Sequence, residues 1–237
     1  NYRMMNVLLA STSTLHGGEY LGYLGEELPL LFGAAKEIVF VPFARPGGIS
    51  HDEYTAKAAA HFATLGIALR GLHSYADPKE ALAKADGIFT GGGNTFLLLH
   101  SLYRLGILED LREAIKKGTP YLGTSAGSVI AGPSICTTND MPIIHPPKLE
   151  SLGIVPFCIN AHYLDPDPNS THNGETRETR LKEFQTLNAE TVVGLREGSW
   201  ARIVGDKVTL EGAHSSRIFV QGKEPYELAA GVDVGGL

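Results

Sequence analysis

Between residues 5 and 123 the chain alternates short, almost wholly apolar runs with amphipathic segments, and few folds accept that pattern. The runs are Asn6–Ala10, Glu37–Val41, 66–71, 87–90 and 120–123. A strand covered on both faces reads as a continuous apolar run, whereas a strand with one wet face alternates. The sequence therefore predicts an α/β protein, a doubly wound and mostly parallel sheet with crossover helices on both faces. Helix signals fall between the runs. Asp77, Pro78 and Glu80 supply a capping residue, a first-turn proline and a first-turn acid. Leu108, Leu111 and Ile115 recur at helical spacing, and Gly118 follows two lysines as a stop.

Past Gly132 the texture changes to a Pro-rich passage, 133–156, and then to a polar one, 165–174. Irregular passages of this length in a compact domain usually serve a function. Residues 175–188 favour a helix with a thin apolar stripe of Leu181 and Phe184. The tail holds strand-like stretches at 201–204, 207–211 and 217–220, with Gly205-Asp206 as a two-residue turn between the first two. This predicts a small C-terminal antiparallel appendage. With no internal repeat and no dividing linker, residues 1–237 read as a single domain.

Composition excludes several classes. Apolar residues make up 43% and charged residues 19%, which is globular usage rather than disorder. The net charge is −6 and no stretch gathers basic residues into a stripe, so no nucleic-acid partner is expected. Cys136 and Cys158 are too few for a disulfide framework and lack the paired spacing of a zinc site. No two histidines fall at i, i+4 with a glutamate between, so no metal is expected. The apolar runs are too short to span a membrane, and residues 1–10 enter a strand without a signal-peptide pattern. A cytoplasmic protein with no membrane partner is the expectation; the sequence leaves its oligomeric state, a homodimer included, open.

Two glycine turns stand where chemistry belongs. Gly123-Thr124-Ser125-Ala126-Gly127 follows a predicted strand and precedes a small-residue segment able to start a helix. In a nucleophile elbow the glycines allow a sharp turn that exposes the serine hydroxyl and brings backbone N–H groups near it. That context favours the elbow over a glycine loop that binds phosphate or nothing. Gly91-Gly92-Gly93-Asn94-Thr95 also links a strand to a helix and matches neither a Walker loop nor a dinucleotide fingerprint. Both turns lie at strand C-terminal ends, where open α/β sheets place ligands. A serine nucleophile needs a base, and the base an acid to orient it. His162 closes the apolar run IVPFCIN, and its residues alone leave it open between a base and a structural histidine. Glu197 follows the strand-like VVGL, with Asp140 and Asp165 as competing acids. Arg177, in ETRETR, reads by itself as part of a solvated helix face.

Taken in order, the Gly91–Thr95 turn, the Thr-Ser-Ala-Gly elbow, TTNDMP at 137–142, Asn160-Ala161-His162, Gly-Glu-Thr-Arg at 174–177 and Arg196-Glu197-Gly198 resemble the peptidase E, or α-aspartyl dipeptidase, family, related to cyanophycinase. The resemblance runs from the first strand to the final hairpin. It implies a fold like the class I glutamine amidotransferases, a flavodoxin-like arrangement. It implies a cofactor-independent serine exopeptidase acting on small acidic dipeptides that begin with aspartate. Carried over by motif, Ser125 is the nucleophile, His162 the base and Glu197 the orienting acid, with Asp140 the alternative. The N–H groups of Gly93 and Ala126 form the oxyanion hole, and Arg177 and Asn94 bind substrate. The chain departs from the family pattern at Thr124, where Trp precedes the nucleophile, and at Arg196, where Pro precedes the acid. Those departures bear on the shape of the pocket. A broader cyanophycinase-type acyl hydrolase and a non-catalytic small-anion or nucleotide-binding module are the rival readings.

Overall fold

The computed structural model describes residues 4–234 and 236–237. Residues 1–3, where the segment leading into the first strand begins, lie outside the described residues, as does Gly235. Five strands pair in parallel: β1 (Asn6–Ala10), β2 (Glu37–Val41), β3 (Ala68–Gly71), β4 (Ile88–Thr90) and β5 (Tyr121–Thr124), in the spatial order β1-β5-β4-β2-β3. The third strand is shorter than its apolar run because Gly66, at φ +73°, turns the chain back onto Ala63 and closes the preceding helix.

The continuous apolar runs have the expected cause. Leu8, Ile38, Phe40, Phe89 and Leu122 pack in one cluster with Leu28, Leu31 and Phe32 of α1 (Glu27–Phe32) and Tyr54, Ala58 and Phe62 of α2 (His51–Ala63). Val7, Leu9, Val39, Ile88 and Tyr121 point the other way, into a larger cluster. There they meet α3 (Pro78–Lys84), α4 (Thr95–Arg104), α5 (Leu108–Lys116) and α6 (Ala126–Val129). Asp77 caps α3 by accepting from the N–H groups of Lys79 and Glu80 at 3.0 and 3.2 Å.

After β5 the chain leaves this sheet and builds another. The passage 133–156 is irregular apart from one bridge between Ser134 and Glu150. β6 (Cys158–Ala161) then pairs in parallel with β7 (Val192–Leu195), and α7 (Arg177–Phe184) lies between them in sequence. Ile159, Ala161, Val193 and Leu195 join the larger cluster, whereas Cys158 and Val192 pack on the other side beneath Leu181 of α7.

The antiparallel tail is present and is divided between the two sheets. β8 (Ser199–Val204) and β9 (Lys207–Gly212) form the expected hairpin, and β8 pairs antiparallel to β1. β10 (Ser216–Phe219) and β11 (Tyr226–Leu228) extend the second sheet beside β7, and β12 (Val232–Asp233) returns to pair with β9. Leu8 is fully buried at the centre of this frame. Leu8→Ala is expected to cost about 2–5 kcal/mol, read as a lower urea midpoint with unchanged slope.

Candidate active site

The C-terminal ends of both sheets meet at one place, and the elbow stands there. Ser125 follows β5 directly and takes φ 52° and ψ −114°, a region that L side chains rarely occupy. Neighbouring contacts impose that conformation. The Ser125 N–H donates to the carbonyl of Ala10 at 3.1 Å, and the Ser128 hydroxyl donates to the same oxygen at 2.7 Å. A Cβ on Gly127 would lie 2.1 Å from the carbonyl oxygen of Thr90, so the first turn of α6 packs on β4 only because no side chain intervenes. Ser125 donates none of its side chain to capping α6, and the Ala126 N–H, first in that helix, has no intrahelical partner.

The Ser125 Oγ lies 2.8 Å from His162 Nε2, and His162 Nδ1 lies 2.8 Å from Glu197 Oε1. These three side chains come from the ends of β5, β6 and β7. His162, like Ser125, has a positive φ, 56°. Its backbone N–H donates to the Ser11 hydroxyl at 2.8 Å, and that hydroxyl donates to the carbonyl of Leu195 at 2.7 Å. Ser11, fully buried after β1, thus ties the first sheet to the ends of both β6 and β7. Sequence reasoning missed it, since a lone serine after a strand carries no local signal.

The other acids are occupied elsewhere. Asp140 accepts from the N–H and hydroxyl of Thr95 at 2.8 and 2.6 Å, which places it at the start of α4 rather than on His162. Asp165 takes a two-pronged contact from Arg196, whose Nε and Nη2 donate at 2.9 and 2.8 Å. The same guanidinium donates through Nη1 to the carbonyl of Ser215 at 2.8 Å and to Glu227 at 2.5 Å. Of the candidate acids, geometry brings only Glu197 to the histidine.

The second glycine turn lies against the first. A Cβ on Gly92 would approach the Cβ of Ser125 to 3.0 Å, and Gly93, at φ +146°, leaves 2.3 Å between a Cβ and the carbonyl of Ala44. Only glycine fits there. Asn94 is used within the protein: its Oδ1 caps α4 by accepting from Leu97 N–H at 3.1 Å, and its Nδ2 donates to the carbonyl of Met141 at 2.9 Å. That double engagement suits holding the 137–141 loop in place, a different task from the substrate contact expected of it.

Arg177 opens α7 and lines a cavity of about 300 Å³ with Asn139, Asp140, Asn160 and Arg180. Its Nε is buried without a partner, and among the described residues it pairs with no carboxylate. Burial, and then the charge of Arg180, pulls it below the ordinary guanidinium range, while Glu197 and Tyr163 act the other way. An unpaired, half-buried guanidinium is a site for an anion. The buried Oδ1 of Asn160 also lacks a partner in this cavity, while its Nδ2 donates to Asn139 and to the carbonyl of Thr137, both at 2.8 Å. Among the described residues no cluster of His, Cys, Asp and Glu has the makings of a metal site.

Comparison with known proteins gives the family of the chain. The model of peptidase family S51 matches residues 7–211. This chain belongs to peptidase family S51. It is 50% identical over 233 residues to peptidase E of Streptomyces coelicolor, covering 98% of this chain and 95% of that one. It is 45% identical over 232 residues to a probable alpha-aspartyl dipeptidase of Drosophila melanogaster, covering 97% and 95%. Among solved structures, a peptidase from an acI-B1 Actinobacterium superposes with a TM-score of 0.73 at 18% identity, covering 98% of this chain and 97% of that one. A putative peptidase E from Listeria monocytogenes gives 0.67 at 23% identity, covering 89% and 99%. Those two likenesses support the α/β fold. No helix among the described residues is long and apolar enough to cross a membrane.

Two outcomes follow for this S51 peptidase. Ser11→Ala removes both tethers at a buried point and is expected to cost about 1–3 kcal/mol of stability, with a larger fractional loss of activity than of folded protein in a paired assay. Glu227 would be raised by burial alone, but hydrogen bonds from Arg196 and Ser215 outweigh this and take it from 4.5 to about 2. A carboxyl depressed in the folded state stabilises above its unfolded value and loses that contribution as pH falls through the folded one. Wild type should therefore lose stability between pH 4.5 and about 2, and Glu227→Gln should flatten that part of the curve, measured as denaturation midpoints across the window.

Proposed function

We propose that this S51 peptidase is a serine exopeptidase that hydrolyses dipeptides with an N-terminal aspartate through a covalent acyl-enzyme. The observation that carries the reading is the unbroken chain Ser125–His162–Glu197 at 2.8 Å per step; Arg177, unpaired, lies close enough for the charge of Glu197 to act on it. The likeness to a probable alpha-aspartyl dipeptidase supports the substrate class.

In this reading Arg177 holds the β-carboxylate of the substrate in its cavity, and that anchor sets the scissile carbonyl over Ser125. His162 Nε2 accepts the hydroxyl proton as Oγ attacks. Glu197 holds Nδ1–H, which fixes the tautomer and stabilises the imidazolium. The tetrahedral oxyanion takes hydrogen bonds from the N–H groups of Gly93 and Ala126, and each such donor contributes about 3–4 kcal/mol. The imidazolium then protonates the leaving amine as the C–N bond breaks and the oxyanion collapses, which leaves the aspartyl ester on Ser125. His162 next takes a proton from water, whose attack breaks that ester and releases aspartate while Ser125 regains its proton from His162. No cofactor enters these steps. The substrate is a small acidic dipeptide; nucleic acid and membrane have no part, and a reducing cytoplasm suits the two free cysteines.

Hydrolysis of Asp-Leu, Asn-Leu and Leu-Leu tests the reading. Wild type should cleave Asp-Leu alone. Ser125→Ala should lose about six orders of magnitude in kcat, and Arg177→Ala about 2–5 kcal/mol in kcat/KM, both with the fold intact by circular dichroism. Equal cleavage of Asp-Leu and Leu-Leu by wild type would remove the aspartate requirement, and an inert wild type would remove the catalytic reading.

A further inference from the structure

His162 and Glu197 stand on loops, and their side chains are 35% and 45% exposed. A single hydrogen bond that open to water has little strength to hold its own geometry, yet proton transfer needs both groups placed to a fraction of an ångström. Ser11 fixes the backbone of the histidine from one side. A second device lies on the other side.

Arg196 immediately precedes Glu197, so any force on its side chain is transmitted to the backbone of the acid. Its side chain is 15% exposed, and the guanidinium lies 5.3 Å from the ring centre of Tyr163, the residue after His162. Its fork binds both oxygens of Asp165, three residues beyond the histidine, at 2.9 and 2.8 Å. The remaining nitrogen reaches the carbonyl of Ser215 and Glu227 of β11. Glu227 is braced in turn by Ser215 Oγ at 2.7 Å and by Arg217 at 3.2 Å, and Arg217 also binds Glu178 of α7 at 2.7 Å. One side chain thus staples the loop bearing the base to the loop bearing the acid, and both to the second sheet. All of its nitrogens are engaged by the protein, so it is no ligand site.

We propose that Arg196 is a positioning residue for the peptidase reaction, holding the His162 and Glu197 loops in register through its fork on Asp165. The inference rests on the reading of Ser125, His162 and Glu197 given above. A lysine keeps the charge and loses the fork, since one ammonium cannot span Asp165, Ser215 and Glu227 together. The role therefore lies in geometry rather than in charge near Glu197.

The experiment compares wild type, Arg196→Lys, Asp165→Asn and the double variant. The readouts are kcat and KM on Asp-Leu, and the rate of Ser125 labelling by a serine-directed phosphonate, all well below each melting temperature. Arg196→Lys and Asp165→Asn should each lower kcat and the labelling rate about ten- to a hundredfold with KM within roughly twofold. The double variant should be little worse than either single one, because both break the same contact. Asp165→Asn leaves Arg196 and its bonds to β11 in place, so it reads the staple even if Arg196→Lys folds poorly. Wild-type kcat in both single variants, a change confined to KM, or fully additive losses would overturn the proposal. A wild type that neither cleaves Asp-Leu nor takes the label would instead remove the serine peptidase reading.

Discussion

The hydroxyl of Ser11 joins two sheets whose shared core is apolar. It accepts from the His162 N–H and donates to the Leu195 carbonyl, so one buried atom closes the ends of β6 and β7 onto the end of β1. Hydrophobic packing brings the sheets together without fixing their relative position finely, since it is non-directional. Two directional bonds at one point supply the missing constraint. With it in place, His162 stands where its ring reaches Ser125 at the end of β5.

Backbone strain is concentrated at the same point. Ser125 and His162 are two of the three non-glycine residues with positive φ among the described residues. Such conformations persist only where the surroundings over-determine them. The elbow has the Ala10 carbonyl receiving two donors, and a helix start that packs on Thr90 through Gly127. The histidine has Ser11. The strain exposes the serine oxygen and turns the imidazole toward it, so the reacting groups meet before any substrate arrives.

Three arginines of the second sheet and its helix show how environment divides one residue type among tasks. Arg196 and Arg217 are saturated by carboxylates and are held charged, with hydrogen bonds to Asp165 and Glu178 as the leading causes. Arg177 is half-buried, destabilised by burial and lacks a carboxylate partner. Saturated guanidinia act as braces. The unsaturated one is left with binding capacity, which is why the anion site falls at Arg177 although the residue sits in a run that reads as a solvated helix face.

Much of this was legible in the chain alone. The apolar runs gave the parallel strands because a strand buried on both faces needs no polar alternation, and Leu8 and Leu9 do face opposite clusters. The glycine turns marked the site, because steric limits on glycine are local properties, whereas strand-end position made His162 and Glu197 candidates only and the family resemblance supplied their roles. What sequence left open was pairwise: whether Glu197, Asp140 or Asp165 meets the histidine, that Asn94, expected on the substrate, caps α4 and holds Met141, and how the expected antiparallel tail divides between the two sheets. Those answers depend on which loops converge from strands far apart in the chain. Only the packing of the second sheet against the first, pinned at Ser11, decided them, since side-chain distance between remote segments is set by tertiary contacts that no local pattern encodes.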